Sequence, residues 1–178
     1  SEALPSNACR VHHALGLSNE AFAFDINLGC SAYPYGLWVA SSLISTGASR
    51  ILLLAGDTIS HIVNPDDRAT ALLFGDAGTA TALESSGEDL WSFFLGTDGK
   101  GADALKASIG KYLKMEGSRV FEFTITEVPK LINTVDSFNN KPHDLYLLHQ
   151  ANEFMLKHIQ KKCKLPIESF PINIDLYG

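Results

Sequence analysis

The stretch AFAFDINLGCSAYPYGLWVASSLISTG, residues 21–47, decides how the rest of the chain is read. Residues 21–26 are short, aromatic and β-branched, which predicts a strand. Residues 37–44 are apolar nearly all round, which predicts a buried helix. Gly29 allows a tight turn between the two. Pro34 falls in the first helical turn, where its missing N–H does no damage. Cys30 therefore stands where a strand hands over to a helix. A cysteine there faces unpaired backbone N–H groups and the positive end of the helix dipole. Both favour thiolate over thiol, and helix-start cysteines fall from about 8.5 to roughly 3.5–7.5 in pKa. The thiolate is the nucleophile, so Cys30 is a candidate for covalent catalysis. The alternative is a structural cysteine packed in the core.

The bulk properties suit an intracellular globular protein. The 178 residues suffice for one ordinary domain or one lobe of a larger one. Hydrophobic content of 46% against 19% charged residues supports a large core and argues against disorder. Net charge of −6 argues against general nucleic-acid binding. Cys9, Cys30 and Cys163 are far apart and form no metal-ligand spacing, so no metal is expected. Their odd number, with no signal peptide, suggests a reducing, cytoplasmic compartment. Residues 26–49 carry no charge, but Asn27, Pro34, several serines and glycines favour a buried soluble helix over a membrane span. The chain opens at Ser1 without Met and stops directly after a strand-like run, so both ends read as internal.

Taken in order, residues 7–17 read as a short helix capped by Ser6 or Asn7 and ended near Gly16. Residues 50–57 (RILLLAGD) form a continuous apolar run, which suits a strand buried on both faces of a mainly parallel sheet. Strand, helix, strand would then make a βαβ unit. Residues 60–70 are polar and read as a surface loop. Residues 71–74 and 79–83 suggest a hairpin through 75–78, and 85–88 a turn. Residues 90–95 suggest a strand, and 96–110 a connection. Phe121, Ile125, Val128, Ile132 and Val135 recur at helical spacing, so 119–138 is an amphipathic helix that Pro129 should kink. Residues 144–148 read as a buried strand, 152–164 as a helix burying Met155, Leu156, Ile159 and Cys163, and 172–176 as a last strand. The alternation is that of an α/β chain with a largely parallel sheet.

His149 falls at the end of the 144–148 run, just before a helix. Catalysis in α/β sheets gathers at the carboxyl ends of strands, and Cys30 and His149 occupy equivalent places. A capping or core histidine is the alternative. With these residues in hand, the chain resembles the β-ketoacyl-acyl-carrier-protein synthase III family of the thiolase-like superfamily. The resemblance rests on DINLGCSAYPYGL around Cys30, NPDDRATALLFGD at 64–76, YLKMEGSRVFEF at 112–123, HQAN at 149–152 and NIDLYG at 173–178. It implies an α/β thiolase-like layered fold (α-β-α-β-α), here an incomplete internal fragment missing much of the N-terminal half and the C-terminal end. Residues 1–85 would be the latter part of the N-terminal half, carrying the nucleophile. Residues 86–178 would be the first part of the C-terminal half, carrying the histidine.

The resemblance also implies chemistry. An acyl group passes from coenzyme A to Cys30 and is then condensed with malonyl-acyl-carrier protein as carbon dioxide leaves. His149 matches the histidine that polarises the malonyl thioester oxygen together with an asparagine. The Cys30 backbone N–H would serve the acyl-transfer oxyanion. Arg68 matches a coenzyme A contact, Gly117 and Asn152 match the pantetheine channel, and Phe74 and Phe121 match aromatics lining it. Coenzyme A thioester is substrate and no cofactor is expected. Acyl-CoA, acyl carrier protein and a second copy in a homodimer, joined through the 21–26 strand, are the implied partners; no nucleic acid and no membrane are. Two departures stand out. The partner asparagine would follow Gly178, so the fragment alone lacks a complete site. The family's carrier-docking arginine is replaced by Phe154, beside Lys157, Lys161 and Lys164 on one helical face. Those lysines suit an acidic partner. A non-condensing acyltransferase of the same fold and a non-catalytic fragment are the alternative functions.

Overall fold

A computed structural model of the chain describes residues 4–85, 91–138 and 143–177. Helix α1 (Asn7–Ala14) forms where its cap predicts, with the Ser6 side chain accepting from the Cys9 N–H. It buries no residue. Polar contacts hold it, among them the Asp25 carboxylate, which accepts the N–H groups of Asn7 at 2.7 Å and Ala8 at 2.8 Å. A carboxylate at a helix N-terminus satisfies orphan donors and opposes the dipole.

Helix α2 (Ala32–Ser45) starts at N-cap Ser31, so Pro34 lies in its first turn as expected. Its Gly36 and Ala40 are buried. At Gly36 the helix meets strand β1 (Arg50–Asp57) so closely that an added Cβ would lie 2.7 Å from Leu53 Cδ1. Glycine is what permits that approach.

The sheet differs from expectation. β1 pairs antiparallel with β2 (Ala77–Glu84) in the register Arg50↔Glu84 to Asp57↔Ala77. The pair closes with an Arg50–Glu84 ion pair at 3.0 Å. β1 alternates in burial: Ile51, Leu53 and Ala55 are half-buried, whereas Leu52 and Leu54 are exposed. One face lies on α2 and the other is open, so the run is not buried on both sides. Residues 71–74 form turns rather than the first arm of a hairpin. Residues 21–26, 91–95 and 144–148 form no strand, because no ladder partner for them occurs among the described residues. The βαβ unit is therefore absent, and the expected strand residue Leu90 and most of the 85–88 turn lie outside the described residues. Residues 172–176 give no strand either, since α5 (Ile174–Tyr177) takes most of them. The 96–110 connection holds β3 (Leu105–Lys106), paired antiparallel with β4 (Lys114–Met115).

Helices α3 (Gly117–Asp136) and α4 (Glu153–Cys163) pack together and carry the principal core. Ile132, Leu156, Ile159 and Phe170 are buried there, flanked by Val128, Tyr146, Leu148 and Cys163. Burial raises the Cys163 thiol pKa, as a core cysteine requires. The Tyr146 hydroxyl donates to Asp136 at 2.9 Å, joining the end of α3 to the chain that leads into His149. Burial and this hydrogen bond raise the Tyr146 pKa.

Pro129 sits inside α3 and is buried, yet the helix runs on through it. Proline lacks an N–H, so the Ile125 carbonyl one turn earlier has no intrahelical donor. Lys162 of α4 supplies one, with its Nζ 2.7 Å from that oxygen. The proline thus creates the acceptor through which α4 is tied to α3. Replacing Lys162 by Met should cost about 1 kcal/mol in urea unfolding. In a Pro129→Ala background, where the new alanine restores the missing N–H, that cost should vanish. An equal cost in both backgrounds would remove the explanation.

Candidate functional site

Cys30 occupies the turn that opens α2. The Ala32 N–H donates to Gly29 O at 2.8 Å and places Cys30 one position before the N-cap. The thiol is exposed. The Cys30 backbone N–H donates to no protein acceptor among the described residues. Two tyrosines from the first turn of α2 fix this corner. Tyr33 shares a hydrogen bond of 3.1 Å with Thr81 of β2, and Tyr35 donates to Gly96 O at 3.1 Å. The helix start is thereby tied both to the sheet and to residues 91–98.

His149 lies in the turn before α4, with the Ala151 N–H on its carbonyl at 3.0 Å. Surrounding protein strips hydration from the imidazolium, which lowers the His149 pKa. The neutral ring is therefore favoured, and a neutral imidazole carries one N–H donor. Asn152 caps α4, its side chain accepting from Met155 N at 3.1 Å. Between them, Gln150 makes the bonds that hold the turn. Its Nε2 donates to Leu148 O at 3.0 Å and to Pro171 O at 3.4 Å, while its Oε1 accepts from Asn173 N at 3.0 Å. The HQAN motif contains this glutamine, yet sequence reasoning assigns it no task. A signal is present all the same: a half-buried amide next to a functional histidine must find partners.

The other candidate residues fall into local groups. Arg68 and Phe74 share the loop that follows residue 64; Arg68 is exposed and Phe74 half-buried. Gly117 is the first residue of α3, and Phe121 lies one turn on. Phe121 stacks on Phe154 of α4, ring centroids 6.0 Å apart and planes at 24°. Lys157 pairs with Glu153 at 2.6 Å, whereas Lys161 and Lys164 have no ion-pair partner among the described residues. Among the described residues no hydrogen bond joins Cys30 to His149, and none of their groups forms a metal cluster. No described helix is long and apolar enough to cross a membrane.

Comparison with known proteins places this geometry. Solved structures superpose closely: a 3-oxoacyl-(acyl-carrier protein) synthase from Burkholderia xenovorans is 42% identical with a TM-score of 0.89, covering 98% of this chain and 56% of that one. The synthase III of Aquifex aeolicus is 30% identical with a TM-score of 0.91, covering 99% and 59%. The fold is the thiolase-like α/β class. A family model described as 3-oxoacyl-[acyl-carrier-protein] synthase III matches residues 24–99, which include Cys30, Arg68 and Phe74. Beta-ketoacyl-[acyl-carrier-protein] synthase III of Clostridium tetani is 33% identical over 98% of this chain and 60% of its own length. That of Streptococcus agalactiae is 36% identical over 98% and 59%. The chain is similar over nearly its whole length to β-ketoacyl-acyl-carrier-protein synthase III proteins. It spans about 60% of the length of these curated relatives.

A lowered histidine pKa has a defined sign. As pH falls, the unfolded chain takes up the proton first, so stability from this group is lost from about 6.5 down to the lower folded value. An NMR titration of the His149 ring should give a midpoint below about 6.5. Gln150→Ala should loosen the turn and return the midpoint towards that value, whereas Gln160→Ala, which frees Leu165 O at the far end of α4, should not. Equal midpoints in all three proteins would deny Gln150 its positioning role.

Proposed function

We propose that the chain carries the nucleophile and the histidine of a decarboxylative condensing enzyme, which joins an acyl-CoA primer to malonyl-acyl-carrier protein. The observation that supports this most is Cys30 at the opening of α2 with its backbone N–H unpaired among the described residues, within a stretch that the family model matches. In the first half-reaction the Cys30 sulfur attacks the thioester carbonyl carbon. Its backbone N–H faces the oxyanion, and the coenzyme A thiolate leaves. In the second, malonyl thioester loses carbon dioxide to give an enolate, which attacks the acyl-Cys30 carbonyl and expels the cysteine thiolate. His149, exposed but with a lowered pKa that favours the neutral ring, donates to the developing enolate oxygen. Arg68, with no ion-pair partner among the described residues, suits a coenzyme A phosphate. Gly117, Phe121, Asn152 and Phe74 line the approach in this reading.

Acyl-CoA and acyl carrier protein are the partners this reading requires, and a second copy of the chain is a third. Phe22 at 71% and Phe24 at 50% exposure offer apolar surface for that copy. Phe154 favours a second reading, a non-condensing acyltransferase. It stacks on Phe121 where an acidic carrier would be met by a cation, leaving Lys161 and the C-cap Lys164 on that face with no ion pair among the described residues.

The two half-reactions are measured separately. Incubated with short acyl-CoA, the protein should gain one acyl mass on Cys30, and Cys30→Ala should abolish it. His149→Ala should keep the adduct while slowing carbon dioxide release from malonyl thioester by about 10²–10³. An adduct on another residue refutes the nucleophile. Product formation without carbon dioxide release selects the second reading.

A further inference from the structure

A side-chain cluster at the far end of α3 has no part in the acyl-transfer reading. His143 Nε2 is shut off from solvent and has no hydrogen-bond partner among the described residues. It lies 3.5 Å from Asp136 Oδ1, longer than an ordinary N–H···O hydrogen bond. That same oxygen accepts the Tyr146 hydroxyl at 2.9 Å. The His143 and Tyr146 rings meet edge-on, centroids 5.6 Å apart and planes at 89°. Tyr146 is held by its backbone as well, its N–H donating to Ser169 O at 2.8 Å. His149 follows three residues on.

Both neutral forms of the His143 ring are badly placed. With its proton on Nε2, a buried N–H lacks a good acceptor. With its proton on Nδ1, the bare Nε2 lone pair faces a carboxylate. A second proton removes both faults, because the Nε2–H then carries positive charge towards Asp136. A charge-assisted bond of that kind closes to about 2.7–2.9 Å. The other groups around the ring do not compete. Burial raises the pKa values of Tyr146 and of Cys163 on α4, which keeps both neutral. Lys162, beside Cys163, is turned to Ile125 O, and Asp144, next to His143 in sequence, is exposed. Asp136 is therefore the charge that answers His143.

We propose that His143 and Asp136 form a proton-operated latch: as the ring takes its second proton, residues 143–149 are drawn onto the end of α3 and the turn that carries His149 is held more firmly. The pair exists while the ring is charged and is lost as pH rises. The inference goes beyond the acyl-transfer reading and does not rest on it, since its readouts need no substrate. The Tyr146 amide, bonded to Ser169 O, reports the latch. On lowering pH from about 8 to about 5.5, its exchange protection factor should rise about threefold or more in the 178-residue chain. His143→Gln and Asp136→Asn should each abolish the rise. Tyr146→Phe, which leaves the Asp136 oxygen wholly to His143, should keep it. All three variants retain His149, so its own titration is common to them and cancels. Should a variant fail to fold, the unmodified protein decides alone. Proton–nitrogen correlation spectra of its rings at the lower pH should show the His143 Nε2 proton exchanging with water about tenfold more slowly than that of exposed His13. A flat protection factor, the same rise in His143→Gln, or a His143 ring proton exchanging as fast as that of His13 overturns the proposal.

Discussion

The packing of α4 against α3 around Pro129 is what the C-terminal half of the chain depends on. A proline in mid-helix ordinarily breaks or bends its host. Here it leaves one carbonyl open, and the neighbouring helix closes it with a charged donor. That bond adds about 1 kcal/mol to the packing of α4 along α3. The lie of α4 in turn sets what packs in the core, with Ile132 from one helix meeting Leu156 and Ile159 from the other. It also sets the stack of Phe154 on Phe121 and the place where the His149 turn enters α4.

The nucleophile end is held differently, by polar tethers more than by packing. Helix α2 rests on β1 through the gap that Gly36 leaves for Leu53. Its first turn is then pinned by Tyr33 to β2 and by Tyr35 to residue 96. Such bonds are individually modest, about 1 kcal/mol each. Their value is directional, since each restricts rotation of the turn that displays Cys30. The two ends therefore have different tolerances. The histidine side depends on shape, and the cysteine side on a few hydroxyl groups.

The helices are legible in the sequence because their signals are local. Ser6 and Asn152 cap, Pro34 sits in a first turn, and the series from Phe121 to Val135 fixes a face. Strands are less legible because a strand is a relation between two segments. Residues 21–26, 91–95 and 144–148 have β-type composition, yet composition cannot supply the partner that a ladder needs. The 79–83 run has a β pattern and is β, but its partner is β1, more than twenty residues upstream, and not the nearest apolar segment. The six apolar letters from Ile51 to Gly56 hide an alternation that only the uneven surroundings of β1 reveal. Residues 172–176 alternate as a strand would, and a single helical turn is too short to show a period of 3.6. At the site the reactive residues stand out through their motifs. The groups that orient them, Gln150, Tyr33, Tyr35 and Asp25, bond to distant partners, and no spacing in the sequence announces such contacts.

Asp25 has a consequence for motion. Helix α1 buries nothing, so its attachment is polar, and includes the two N–H groups that this carboxylate takes from residues seventeen and eighteen positions away and the His12 ring on Ser18 O. When those bonds open, the helix and the segment ahead of the nucleophile are released in one event. Amide exchange across residues 7–14 and 22–28 is thereby coupled into a single low-energy opening unit. That hinge lies close in sequence to the thiol, so fraying at the beginning of the chain is felt as loosening beside residue 30.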